Sequence, residues 1–188
     1  MANFFDAGSD IKSFLTFKLG DEVFACHVNK LLSILEIPEI TEVPGSPKYM
    51  KGIIDLRGKV LPIIDTKLKL SLPSIEFTKD TCIIVMDITI DNDTLLVGVL
   101  VDAVLEVLEF EQDKILPPPN LGSKYHSNFI SGIVKKDSKF IMLIDIDMVF
   151  SLDEIDFLKD AVEIAEQVQE IEQEGEKKKE ADKKTEKK

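Results

Sequence analysis

Histidine and cysteine are scarce in this 188-residue chain, with two of each. Cys26 and His27 are adjacent, and neighbours on a strand point to opposite faces, so they do not suit a nucleophile pair. His126 stands in a loop with no evident partner. Cys26 and Cys82 each sit alone inside an apolar run. That suits free buried thiols in a reducing compartment; a disulfide stays open but draws no support from the spacing. The sequence also lacks a Gly-rich phosphate loop, a metal-spaced Cys/His set and a Gly-x-Ser-x-Gly elbow, so it carries no recognisable catalytic signature. The expectation is no catalytic residue, no metal and no cofactor.

Basic charge is in deficit as well. The net charge is -12 and the pI about 4.7, which argues against a general nucleic-acid binder and against docking on anionic membranes. No apolar run approaches the ~20 residues of a membrane span. Met1-Ala-Asn-Phe-Phe-Asp6 is short and acidic, unlike a signal peptide. The expected location is the cytoplasm. Part of the acidity is local: residues 153–171 hold seven acids against Lys159, a local -6, while residues 172–188 hold six acids and seven lysines, a local +1. The remaining body, 1–152, stands at -7.

What is present is apolar residues in short runs, 44% of the chain beside 31% charged. The organising stretch is Gly52-Ile-Ile-Asp-Leu-Arg-Gly-Lys-Val-Leu-Pro-Ile-Ile-Asp65. Two β-branched runs split by Arg57-Gly58 read as a hairpin with a glycine in its turn. Arg57 at the tip has two readings: a charge that keeps the hairpin soluble, which the residues alone favour, and a recognition side chain with a rigid donor fork.

The stretch recurs. Gly132-Ile-Val-Lys-Lys-Asp-Ser-Lys-Phe-Ile-Met-Leu-Ile-Asp145 has the same outline, with its closing Asp at the same distance from the glycine. Pro47-Lys-Tyr-Met-Lys51 precedes the first copy and Ser127-Asn-Phe-Ile-Ser131 the second. Upstream, Val28-Asn-Lys-Leu-Leu-Ser-Ile-Leu35 resembles Val101-Asp-Ala-Val-Leu-Glu-Val-Leu108. Agreement of both order and spacing indicates two similar β units sharing a core. Asp65 and Asp145, equivalent in the two copies, suit capping of a following turn better than an acid/base pair.

In chain order, 1–12 reads as a mobile leader and 13–151 as the β body, two intertwined barrel subdomains of roughly 13–80 and 81–151. Residues 13–19 and 22–28 alternate around Gly20-Asp21 as an opening hairpin. Residues 31–37 form a strand, and the three prolines of 38–47 exclude a central strand there. A helical turn follows at 66–70 and a polar connector at 71–79. Strands come next at 82–86, 95–101 and 104–110, then a loop stiffened by Pro117-Pro-Pro119, the second hairpin, and a turn of helix at 148–150. Ile155, Leu158, Val162, Ala165, Val168 and Ile171 fall at helical spacing. Residues 152–171 therefore form an amphipathic helix, with Ser151 as N-cap and the apolar stripe docked on the body. From 172 to 188 the Lys/Glu-rich chain reads as a disordered tail.

Tyr49 to Asp65, with Val97-Gly-Val-Leu-Val-Asp-Ala-Val104 and Ile115-Leu-Pro-Pro-Pro119 after it, resembles the CheW family of chemotaxis coupling proteins from about Phe14 to Lys159. The Gly-x-x-x-Leu-Arg-Gly…Pro-x-x-Asp order is highly specific. The resemblance implies a mainly all-β fold: two five-stranded SH3-like barrel subdomains around a shared core, followed by the C-terminal helix. It implies a non-enzymatic, cytoplasmic adaptor between the regulatory domain of the histidine kinase CheA and the cytoplasmic tips of methyl-accepting chemoreceptors, recruited to receptor arrays at the inner face of the membrane.

Carried over residue by residue, receptor contact falls on Leu31, Arg57 and Val107, in a helix-in-groove mode. Kinase contact falls on Ile40, Val43 and Gly52, and a second array contact on Asn120 and Leu121. Two positions depart from the family pattern, with Ser33 where Glu is usual and Asp55 where Asn is usual. Asp55 is expected to pair with Arg57. The alternatives are an accessory coupling protein in a non-chemotactic two-component pathway and a small-barrel oligonucleotide binder. The second would need a basic face with exposed aromatics, and the charge of the body and a count of only two tyrosines speak against it.

Overall fold

Runs of five to nine mostly apolar residues, punctuated by Gly, Pro and Asp, fold as ten strands in a computed structural model. The structure describes residues 11–90, 93–118 and 128–185. In order the strands are β1 (Ile11–Leu19), β2 (Glu22–His27), β3 (Leu31–Leu35), β4 (Met50–Leu56), β5 (Lys59–Asp65), β6 (Cys82–Ile90), β7 (Asp93–Val101), β8 (Ala103–Glu111), β9 (Ile130–Lys136) and β10 (Lys139–Ile144). A short helix α1 (Thr66–Lys69) follows β5, and a long one, α2 (Leu152–Thr185), closes the chain.

The strands make two five-stranded sheets, ordered β8-β1-β2-β10-β9 and β3-β6-β7-β5-β4. Each sheet has one parallel pairing, β2 with β10 and β5 with β7. Each closes through one isolated bridge, Leu116 to Ile133 in the first and Thr41 to Ile53 in the second. The duplication is therefore real, and the two barrels match in topology. Their division is not the division of the chain at residue 80, however. The opening hairpin β1–β2 joins β8, β9 and β10, while β6–β7 joins β3, β4 and β5. Each half lends its first hairpin to the other half's barrel, a non-local exchange that runs of apolar residues do not encode.

This exchange explains the fully apolar run at Cys82–Met86. Ile83 and Val85 fill the interior of the second barrel with Ile54, Leu61, Ile63 and Leu100. Ile84 and Met86, on the opposite face, pack with Leu15, Phe17, Phe24 and Cys26 of the first barrel in a core shared by both. A strand buried on both faces has no polar alternation to show. Phe14, Ala25, Val134, Ile141 and Leu143 form the interior of the first barrel.

Both Asp caps behave as expected. Asp65 accepts from the Leu68 N–H at 3.1 Å, and Asp145 from the Asp147 N–H at 3.1 Å. The turn after Asp145 lies at Ile146–Met148 rather than 148–150, and β3 stops at Leu35. The expected leader reduces to residues outside the described ones, because Ile11 and Lys12 already pair with β8.

The C-terminal helix differs most. Ile155 and Leu158 are buried in the shared core, whereas Val168 and Ile171, expected on the same docked stripe, are 51% and 71% exposed. The helix also continues past residue 171 to Thr185, where a disordered tail was expected. Lys, Glu and Ala are strong helix formers, which favours a helix through this stretch.

Candidate functional site

Arg57 and Gly58 form the β4–β5 turn with φ of 58° and 81°, the left-handed pair that a two-residue hairpin requires. The Gly58 N–H donates to Asp55 Oδ1 at 2.8 Å. Asp55 thus fixes the turn by capping its backbone rather than by pairing with Arg57; among the described residues no ion pair joins the two. Asn at this position would make the same acceptor contact, so the departure at residue 55 leaves the turn intact. Arg57 is left exposed on a stiff tip. The equivalent tip of the other barrel carries Asp137 and Ser138 at φ of 47° and 68°, so an acidic residue stands where the first tip has Arg57.

The outer strands β3 and β8 each have a single named-strand neighbour, β6 and β1. Leu31, at the start of β3, is half-buried against the shared core. Val107 on β8 is 54% exposed and lies opposite Leu15, itself a member of that core. Strand directions put the Arg57 tip at the end of its sheet where β3 begins. The structure thus places Leu31 and Val107 on two outer strands bordering one core, and Arg57 at the end of the sheet where β3 starts.

Residue-type reasoning missed three neighbours. Leu32 and Ile34 on β3 and Leu105 on β8 are exposed. The signal was in the repeat: aligning Val28–Leu35 with Val101–Leu108 superposes Leu32 on Leu105 and Ile34 on Val107. Two equivalent strands that both keep apolar residues on the solvent side point to a binding surface, because single exposed leucines need no explanation while symmetric pairs do. Ser33 faces Val85 across the β3–β6 ladder.

Ile40, Val43 and Gly52 cluster where the second barrel closes. Thr41 and Ile53 exchange backbone hydrogen bonds at 2.9 and 2.8 Å. Gly52 is buried with φ 145°, and a Cβ there would overlap the Thr41 carbonyl. Ile40 is half-buried against the barrel interior, and Val43 against the shared core. Gly52 therefore acts on this surface by letting the 40–43 segment lie down, not by offering a side chain. Asn120 and Leu121 lie outside the described residues.

Behind this wall, Asp65 is fully buried. Burial alone would raise its carboxyl. Hydrogen bonds from Ser74 Oγ at 2.6 Å and from the Leu68 and Ile75 N–H groups at 3.1 Å, with Lys51 Nζ at 3.4 Å, outweigh that and hold it below the usual range. Its neighbourhood is a structural knot that ties the β5–β6 connector to the barrel. Cys26 is buried, and burial pushes its thiol up to about 12, far from a reactive thiolate. His27 accepts from the Asn29 N–H at 3.2 Å and sets its ring edge-on to Phe14. Among the described residues no group of three or more His, Cys, Asp or Glu is placed to hold a metal. No described helix is long and apolar enough to cross a membrane.

Comparison with known proteins agrees with this geometry. The family model described as "CheW-like domain" matches residues 13–154. A probable chemotaxis protein CheW from Rhizobium etli is 34% identical over 143 residues, 76% of this chain and 90% of that protein. The chemotaxis protein CheW of Rhizobium meliloti is 32% identical with the same coverage. The crystal structure of the scaffolding protein TtCheW from Thermoanaerobacter tengcongensis superposes with a TM-score of 0.68 at 30% identity, covering 79% of this chain and 94% of that one. With the domain match spanning both barrels and the start of α2, the chain belongs to the CheW-like domain family.

Proposed function

We propose that this protein is a non-enzymatic chemotaxis adaptor that couples chemoreceptors to the regulatory domain of the histidine kinase CheA in cytoplasmic arrays. The observation that carries the reading is the pair of equivalent outer strands, β3 and β8, which keep Leu32, Ile34, Leu105 and Val107 exposed. An amphipathic helix laid along such edges buries apolar anchors every three or four residues. The helical tip of a receptor has that form. Leu31 and Val107 supply apolar contact in this reading, and Arg57, held by its capped turn, supplies a fork of donors to a polar group on the receptor.

The kinase side lies at the closure of the second barrel, through Ile40 and Val43 with Gly52 beneath them. A barrel of similar size on the kinase meets that end, and Asn120 with Leu121 provides the second array contact. A contact of this kind is transient, with Kd on the order of micromolar.

Calorimetric titration of the protein with the CheA regulatory domain tests the reading. Saturable binding that Ile40→Asp abolishes, in a variant that circular dichroism shows to be folded, is the expected result. Absence of binding by the folded wild-type protein overturns the kinase assignment.

A further inference from the structure

The two barrels share a topology but differ at one end. In the second barrel the connector after α1 folds back over the strands. Ile75 is buried there and packs with Ile63, Ile83 and Leu100, while the Ser74 hydroxyl and the Ile75 N–H donate to Asp65 Oδ2 at 2.6 and 3.1 Å. The first barrel has no such connector, because α2 follows closely on the turn after β10. Its matching end is a cavity of about 330 Å³ lined by Phe14, His27, Ser131, Leu143 and Asp145, with Lys12 beside them, a volume in the range of ligand pockets. Strand register makes Phe14, His27 and Leu143 the equivalents of Ile83, Leu100 and Ile63, and the sequence repeat makes Asp145 the equivalent of Asp65.

The occupied barrel shows what the open one would hold. Asp145 Oδ1 takes the Asp147 N–H as Asp65 Oδ1 takes the Leu68 N–H, but Asp145 is exposed, and among the described residues no hydrogen bond or ion pair reaches its Oδ2. Ser131 replaces Lys51 and turns its hydroxyl to the Leu143 carbonyl at 3.2 Å, so donors to that oxygen have to come from outside. His27 is half-buried where Leu100 lies fully buried under Ile75. Lys12 stands at the position of Thr81, whose hydroxyl donates to the Glu76 carbonyl at 3.4 Å. An apolar floor of Phe14 and Leu143 suits an aliphatic side chain, the adjacent carboxylate suits a backbone N–H and a hydroxyl, and the cation suits the carbonyl that follows. None of Leu31, Arg57, Val107, Ile40, Val43 and Gly52 lines this cavity. We propose that it docks an extended segment of another polypeptide chain in which Ser or Thr precedes Ile or Val, held as Ser74 and Ile75 are held in the second barrel.

Calorimetric titration of the full chain with a synthetic peptide copied from its own residues 71–79, with both ends blocked, tests the assignment. Saturable binding with Kd on the order of 100 µM is expected, with hydrogen exchange slowed at amides 27–29 and 144–147. Asp in place of the isoleucine of the peptide abolishes binding, because a charge then enters the apolar floor. On the protein, Asp145→Asn keeps an acceptor for the Asp147 N–H but turns a donor toward the peptide, and weakens binding at least tenfold. Lys12→Glu, at an exposed position, weakens it about threefold, and both variants keep the circular dichroism spectrum of the wild type. No binding at about 1 mM peptide, equal binding of the Asp-bearing peptide, full affinity in Asp145→Asn, or protection confined to β3 and β8 or to residues 71–79 overturns the proposal.

Discussion

Thr41 passes so closely over Gly52 that a Cβ on residue 52 would lie 2.8 Å from the Thr41 carbonyl carbon and overlap its oxygen. The same relationship recurs in the other barrel, where a Cβ on Gly132 would lie 3.1 Å from the Leu116 carbonyl oxygen and 2.6 Å from Ile115 Cγ2. The two repeat glycines thus share one task, letting the strand that closes each barrel reach its partner. The consequences differ in size, because Gly52 has φ 145° and meets backbone, whereas the closest atom to Gly132 is a side-chain methyl. Gly52→Ala is expected to cost about 3–5 kcal/mol and Gly132→Ala about 1–2 kcal/mol in urea unfolding. Equal costs at the two sites would contradict the asymmetry.

Acid should loosen the protein through two carboxylates. Asp65 and Glu154 are both held below their usual ranges. For each, burial opposes ionisation and is outweighed, by Ser74, Leu68, Ile75 and Lys51 around Asp65 and by Lys69 and Ser151 around Glu154. A folded pKa below the unfolded one gives stability that is fully present above the unfolded value, near 3.8 for Asp65, and is lost as pH falls through the folded one. The urea midpoint is therefore expected to hold between pH 5 and 7, roughly, and to fall below about pH 4. Asp65→Asn lowers the midpoint at neutral pH, since an amide cannot accept at both of its heavy atoms, and flattens the acid limb. A variant as steep in acid as the wild type would remove Asp65 from the account.

The parts of this fold that were legible in the sequence are local. The two hairpins, their tips and the Asp caps depend on residues close together in sequence, where turn chemistry and periodicity act, and the repeat shows because the same local pattern is written twice. What was not legible is long-range. Parallel pairing of β2 with β10 and of β5 with β7 exchanges hairpins between halves, and no local pattern marks a strand's distant neighbour. Exposure was legible only in part: Val107 was expected at a receptor contact, whereas Leu32, Ile34 and Leu105 have the residue type of a core and only the repeat marked them. Val168 and Ile171 were expected on one stripe with Ile155 and Leu158, but at about 100° per residue they fall on the far side of the helix from Ile155.

The base of that helix is locked at a cluster of three elements. Lys69 of α1 pairs with Glu154 and lies over the rings of Tyr49 and Phe150, at 4.6 and 5.2 Å from their centroids. Burial and the charge of Glu154 push the Tyr49 hydroxyl above its usual pKa, so it stays neutral beside the pair. Lys69→Met keeps the apolar stem and leaves Glu154 without its cation, with an expected cost of about 1–2 kcal/mol. Leu158→Ala, in the shared core, costs about 2–4 kcal/mol. Hydrogen exchange at amides 155–160 should accelerate in both variants. Val168→Ala, outside the docked region, should leave exchange at those amides unchanged.

The outer strands offer the cleanest separation of binding from folding. Ile34 is 45% exposed and Val107 54%, so Ile34→Asp and Val107→Asp place a charge in water rather than in a core. Unfolding midpoints should stay within about 0.5 kcal/mol of wild type. Binding to a receptor cytoplasmic tip should weaken at least tenfold in each, because a carboxylate facing an apolar anchor must be desolvated when the helix docks. Arg57→Ala removes the donor fork while Gly58 and Asp55 keep the turn, so its effect should fall on affinity with no change in stability. Ile40→Asp is the contrasting case: its half-buried side chain packs on the barrel interior, so it should lose some stability as well as kinase binding while leaving receptor-tip affinity near wild type. A pattern in which Ile34→Asp and Val107→Asp bind the tip normally, or in which all four variants weaken both partners alike, would show that the two outer strands do not form a receptor surface distinct from the closure of the second barrel.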